Sequence, residues 1–200
     1  MAGVHISGAV EGPTDEAVLR TIVRARGAIV HRVHVQHGKP NLRRALPGYN
    51  DAAKRSPWFI VVDLDDECPC ASMLVHAWLP VPSPQMRFRV AVRQIEAWLL
   101  ADADRFSMVF GVRRGQVPDT PDELDDPKGT VLSLVAASKK SAIKADMIPR
   151  PGSGRRVGPA YAARLIEFVT RGEGGWRLEH AAAASPSLRR CVERVDELVR

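Results

Sequence analysis

"WFIVVDLDD", Trp58 to Asp66, sets five consecutive apolar residues ahead of Asp63, Asp65 and Asp66. A continuous apolar run of this length is the pattern of a strand buried on both faces, as in parallel sheets covered by helices on each side. The flanking sequence points the same way. Upstream, "VHISGAV" (residues 4–10) is a short apolar run with β-branched residues. "TDEAVLRTIVRARG" (14–27) then spaces Ala17, Val18, Ile22 and Ala25 along one face of a helix that stops at Gly27. "AIVHRVHVQ" (28–36) nearly alternates and reads as a second strand, and "NLRRALPGYNDAAKRS" (41–56) reads as a helical stretch interrupted at Pro47-Gly48. Downstream, "CASMLVHAWL" (70–79) looks helical, "RFRVAVR" (87–93) alternates, and "QIEAWLLADADRF" (94–106) is helical again. Strand and helix in turn predict an α/β fold with a mostly parallel sheet flanked by helices, because parallel neighbours need crossover connections.

From about residue 103 the pattern changes. "VPDTPDELDDPKG" (117–129) is an acidic connection punctuated by proline. "TVLSLVAASKKSAI" (130–143), "PAYAARLIEFVTR" (159–171) and "SPSLRRCVERVDELVR" (185–200) read as helices, the last with Ser185 as N-cap and Pro186 in the first turn. The expected organisation is an α/β core over residues 1–102 and a helical C-terminal part over 103–200 packed on it. A basic loop is expected at 139–156. There "KKSAIKADMIPRPGSGRR" carries six Lys and Arg residues against Asp146 alone, most of the formal net charge of +6. Its Pro, Gly and Ser content predicts a loop or arm rather than a regular element. Such a segment is either a solvated linker or a surface that displaces counterions from a nucleic acid.

The apolar fraction of 45% and charged fraction of 26% are those of a globular chain with a real core. No apolar window reaches about 18 residues, so no membrane-spanning helix and no membrane partner is expected. The first twenty residues already hold Glu11, Asp15 and Glu16 and lack a basic and then apolar leader pattern, so no secretory signal is expected. Cys68, Cys70 and Cys191 are too few for a disulfide framework, and "CPC" has no second pair to complete a zinc site. The compartment these features predict is cytoplasmic.

Ligands of open α/β sheets sit outside the carboxyl ends of the strands, and two acidic groups fall at that edge. Glu11 follows the first strand in "VEGPTDE", and Asp63 and Asp65 follow the third. At a spacing of two, Asp63 and Asp65 point to the same side while the chain stays extended. Asp15 and Glu16 lie in the first helical turn, where they favour the helix dipole and are also near enough to add a metal ligand. Hard cations such as Mg²⁺ and Mn²⁺ prefer carboxylate oxygen. A cluster of this kind could hold one or two of them, and a pair about 4 Å apart serves in-line phosphodiester displacement.

Glu11 in "VEGPTDE" followed by a strand ending in "VVDLD" resembles the signature of the toprim fold, found in topoisomerases, bacterial primases, recombination proteins of the RecR type and OLD-family nucleases. "EGPTDE" looks most like the OLD-type and related small toprim proteins. "RVAVRQIEAWLLAD", "DPKG" and "SPSLRRCVERV" add a similarity to stand-alone bacterial toprim-like proteins over nearly the whole chain. The resemblance implies a toprim-like core, with Glu11 as metal ligand or general acid/base and Asp63 and Asp65 as metal ligands, assisted by Asp15 or Glu16. It implies Mg²⁺ or Mn²⁺ as cofactor, DNA or RNA as partner, and a role in defence against phage. The chain lacks a P-loop GxxxxGK[ST], so no attached ATPase is expected. Neither Tyr49 nor Tyr161 sits in a recognisable topoisomerase context.

Two further groups are candidates. Glu96 opens a helix after the fourth strand and could face the same edge, or serve only the helix dipole or an ion pair with Arg93. Lys128 in "DPKG" could offset charge developing on a phosphoryl group, or be a solvated turn lysine. His31, His34 and His37 recur every three residues, which alternates faces in a strand and argues against a shared metal. The expected activity is divalent-metal-dependent hydrolysis of phosphodiester bonds. The alternatives are a non-catalytic nucleic-acid-binding or scaffold protein, and a defence effector that needs a partner protein.

Overall fold

The computed structural model describes residues 3–200. It is an α/β protein whose sheet has four strands, all parallel, in the order β2-β1-β3-β4. The strands are β1 (His5–Val10), β2 (Ile29–Val35), β3 (Trp58–Asp63) and β4 (Met86–Ala91). Between them run α1 (Pro13–Ala25), α2 (Lys39–Ala52) and α3 (Ala71–Trp78). The remainder is helical: α4 (Ile95–Leu100), α5 (Ala103–Phe110), α6 (Pro127–Ala136), α7 (Ser141–Met147), α8 (Tyr161–Thr170), α9 (Leu178–Ala184) and α10 (Pro186–Val199). No helix among the described residues is long and apolar enough to cross a membrane.

The apolar run Trp58–Val62 forms most of β3, and all five residues are buried. Phe59 and Val61 face one layer of core with α1, while Trp58, Ile60 and Val62 face a second with α2 and α3. Gly8 lies where β1, β3 and α1 meet. A Cβ on it would stand 2.9 Å from Leu19 Cδ1 and 3.0 Å from the Phe59 carbonyl oxygen, so only glycine fits without displacement. Gly8→Ala is expected to destabilise the fold by about 1–3 kcal/mol through overpacking, read as a lower urea midpoint at unchanged slope.

Four local expectations are corrected. The helix over residues 39–52 runs through Pro47 instead of breaking there. Proline removes one backbone donor, but Leu42 and Leu46 are buried one turn apart and Tyr49 stacks on Trp58 with centroids 4.8 Å apart. That burial holds the helix across the missing bond. The stretch 94–106 is two helices, because Asp102 leaves α4 to cap α5 through the Arg105 N–H and to bind Arg177 Nη2 at 2.6 Å. The stretch 130–143 is likewise split: Ser138 turns its hydroxyl onto the Phe110 carbonyl, at 2.5 Å, and the chain restarts as α7. Finally, the basic segment is not all loop. Residues 141–147 form α7, with Ile143 and Met147 buried, and Lys139, Lys140 and the part after Met147 are irregular.

The larger core layer holds α1 and the inner face of β3 together with Trp98, Phe106, Phe110, Phe168 and Leu188. Residues before and after position 102 therefore share one apolar interior. Ser185 caps α10 by accepting the Leu188 N–H at 3.2 Å, with Pro186 in its first turn.

Candidate functional site

Strand order decides where a crevice opens. From β1 the chain passes to α1 on one face of the sheet, and from β3 it passes to α3 on the other. Because β1 and β3 are neighbours, the connections diverge and leave a gap at their carboxyl ends.

Glu11 is the first residue beyond β1. Its Oε1 accepts the Asp63 N–H at 3.1 Å, which ties the ends of the two strands together. Gly12-Pro13 starts α1, and Asp15 Oδ2 accepts the Gly12 N–H at 2.8 Å as the return half of the helix cap. Asp63 Oδ1 accepts the Ile95 N–H at 2.8 Å, which holds the first turn of α4 against the strand. Glu96 follows and is only 3% exposed. Its Oε1 accepts the Tyr161 hydroxyl at 3.1 Å and lies 3.5 Å from Lys128 Nζ. Its Oε2 is buried with no hydrogen-bond partner. Lys128 arrives on the first turn of α6, which Asp126 caps by accepting the Gly129 N–H at 2.8 Å. Tyr161 opens α8, which packs on α1.

These side chains line one cleft of about 280 Å³: Glu11, Asp15, Asp63, Glu96, Lys128 and Tyr161. Four carboxylates face one ammonium. Burial raises the pKa of Glu11, and the Asp63 N–H and the Lys39 charge only partly offset it. Burial likewise pushes the Asp15 carboxyl up to about 7 against the pull of the Gly12 N–H, with Glu11 and Glu96 adding repulsion. Asp63 is held well above the ordinary carboxylate range by burial first, then by the charges of Asp15 and Glu96. Lys128 shows the opposite balance. Burial opposes its charge, yet Glu96 and Asp63 keep its pKa raised. Burial and the Glu96 charge also raise the Tyr161 phenol, which stays a proton donor.

Two of the expected residues stand outside this cleft. The strand ends at Asp63 and Asp65 has φ +48°, so the chain does not stay extended through both aspartates and the expected same-side placement is corrected. Asp65 is turned to Lys39 Nζ at 3.0 Å and to Gln94 Nε2 at 3.1 Å. Glu16 forms a helical-turn pair with Arg20 at 2.8 Å. Arg93 pairs with Asp66 and Asp125 rather than Glu96. His34 stacks on Trp58 and meets Tyr49 at a tilt.

Three residues at the site carry no sequence signal of their own. Lys39 Nζ binds Asp65, approaches Glu67 at 3.5 Å and donates to the Leu64 carbonyl. Gln94 joins Asp65 to the Lys128 N–H. Tyr161 reaches Glu96 from 65 positions away, and no spacing rule links them.

The donors in the cleft are all oxygen, which suits Mg²⁺ or Mn²⁺, and Glu96 Oε2 is an orphaned buried acceptor. Among the described residues no three His, Cys, Asp or Glu side chains converge as a ready-made cation cage. Mg²⁺ takes one or two carboxylates and keeps several waters, so it does not need such a cage. Comparison with family models, curated proteins and solved structures finds no match to this chain.

Proposed function

We propose that the chain is a toprim-like, divalent-metal-dependent nuclease that hydrolyses phosphodiester bonds of DNA or RNA in the cytoplasm. The observation that carries this reading is the convergence of the half-buried Glu11, Asp15 and Asp63 and the buried Glu96 on one switch-point cleft, with Lys128 as the cation facing them there. Carboxylates held in that way repel one another and are desolvated, and a hard cation removes both penalties.

Glu11 and Asp63 would hold the ion, with Asp15 and the free Oε2 of Glu96 as the next acceptors. A bound Mg²⁺ or Mn²⁺ would supply Lewis acidity and lower the pKa of water. The chain's own groups do the rest. A carboxylate oxygen of Asp15 not taken up by the ion accepts a proton from the attacking water. The water oxygen forms a bond to phosphorus as the ester P–O bond breaks. Lys128 Nζ offsets negative charge on the phosphoryl oxygens, and the proton reaches the departing oxygen. Tyr161 fixes the Glu96 carboxylate by its hydroxyl. Lys39 and Gln94 hold Asp65 at the rim, where it adds negative potential without entering the cleft.

The test is incubation of purified protein with plasmid, single-stranded DNA and tRNA in Mn²⁺ or Mg²⁺, with a chelator control. Cleavage that the chelator stops is expected. A second reading is favoured by one observation: Lys128 already neutralises part of the cluster from 3.5 Å. On that reading the protein is a non-catalytic, nucleic-acid-binding relative or a defence component that waits for a partner protein. Binding without cleavage, equal with and without metal, would select it.

A further inference from the structure

The segment between α7 and α8 contains Arg150, Arg155 and Arg156, all exposed, and none forms an ion pair among the described residues. Its ends are pinned by backbone bonds. Gly158 donates to the Met147 carbonyl at 2.8 Å and Ala160 to the Asp146 carbonyl at 2.9 Å. Between those pins the chain folds back on itself at Gly152 and Gly154, with φ +76° and +65°. Ser153 ties the turn, donating its N–H to the Arg150 carbonyl and accepting the Arg155 N–H. The loop thereby curls around an open pocket of about 430 Å³, lined by Arg150, Ser153 and Arg155 among prolines. Val157 lines this pocket and also lines the carboxylate cleft. A basic pocket and an acidic cleft thus share one wall.

We infer that the Arg150–Arg156 loop is a phosphate-binding subsite, which holds the nucleic-acid backbone one or more phosphates away from the bond placed in the cleft. The inference rests on the nuclease reading for its ligand class. Uncompensated guanidinium groups on a pinned loop recognise phosphate by paired N–H donors. A lipid surface offers phosphate too, but it could not extend into a cleft walled by protein and lined with carboxylates. A flexible polyphosphodiester chain can span both pockets. The substrate class follows: a chain with several consecutive phosphates, not a mononucleotide. The three arginines are positioning residues, acting on binding and not on the reacting atoms.

The experiment measures binding of a fluorescent single-stranded 20-mer in Ca²⁺, by anisotropy, across a salt series. The triple variant Arg150→Ala, Arg155→Ala, Arg156→Ala should bind about 10- to 100-fold more weakly at low salt. The slope of log K against log salt should flatten by about 2, as expected for three lost phosphate contacts on a single strand. Lysine at the three positions should restore the slope, which a folding defect would not do. Mn²⁺ affinity by calorimetry should match the unsubstituted protein, which shows that the cleft is intact. Unchanged affinity and slope in the alanine variant overturn the inference, as does binding to anionic vesicles in place of the oligonucleotide. Loop-dependent binding without any cleavage supports the subsite and counts against the nuclease reading alone. Cleavage with an unchanged alanine variant does the reverse.

Discussion

Glu11→Gln is expected to lower metal-dependent cleavage at least about 10³-fold, equivalent to roughly 4 kcal/mol of transition-state stabilisation. The substitution is chosen because it separates charge from architecture. Glu11 Oε1 accepts the Asp63 N–H at 3.1 Å, and a glutamine carbonyl can accept the same bond. The junction between the ends of β1 and β3 is therefore kept, while the negative charge that would bind a cation is removed. Burial raises the Glu11 pKa, so the charged form is the one that strains the fold. Neutralising it should leave the melting temperature of the metal-free protein equal or slightly higher. Mn²⁺ affinity should fall at least tenfold in the same preparation. A variant that cleaves within threefold of the parent would remove Glu11 from the site and with it the core of the nuclease reading. A variant that simply melts lower would show that Glu11 is an architectural link.

The fold was readable because its strongest signals are short-range. Five apolar residues in a row, ended by Asp63 and the turn behind it, fit a strand covered on both sides, and β3 is that strand. Ser185-Pro186 caps a helix by chemistry confined to four residues. Breaks within helices were harder. Pro47 looks like a stop, but the energy that carries α2 through it comes from Leu42, Leu46 and Tyr49, through contacts a linear pattern does not contain. Asp102 divides α4 from α5 because Arg177, 75 positions on, gives its carboxylate a partner. The site divides in the same way. Glu11 and Asp63 could be placed at one edge because parallel strands bring their carboxyl ends to the same side. Tyr161, Lys39 and Gln94 could not, because each reaches its carboxylate across a packing contact. Asp65 shows the limit of a spacing rule: two residues share a side only while the backbone is extended, and φ +48° ends that condition.

The metal-free protein should become less stable as pH rises from about 4 to about 7. Glu11, Asp15 and Asp63 all have folded-state pKa values raised above the ordinary carboxylate value, chiefly by burial. Between the unfolded and folded pKa values the native state therefore binds more protons than the unfolded chain, and stability falls with pH across that window. Asp15 alone, moved from 3.8 to about 7, gives an effect on the order of 2–4 kcal/mol. For a chain of this size that is roughly 4–16 °C in melting temperature. His34 works against the trend, because burial lowers its pKa, so its contribution rises with pH. A difference measurement removes that background. Asp15→Asn keeps an oxygen for the Gly12 N–H and abolishes the titration, so in chelator it should melt higher than the parent at pH 8 and nearly equal to it at pH 4. Mn²⁺ should restore the parent at pH 8, by about 2.7 kcal/mol at one hundred times its Kd, and restore the variant less. Parallel melting curves for the two proteins from pH 4 to 8, with no separate response to Mn²⁺, would mean that the Asp15 carboxylate is not under the strain its burial implies. The cleft would then have no electrostatic reason to take up a cation.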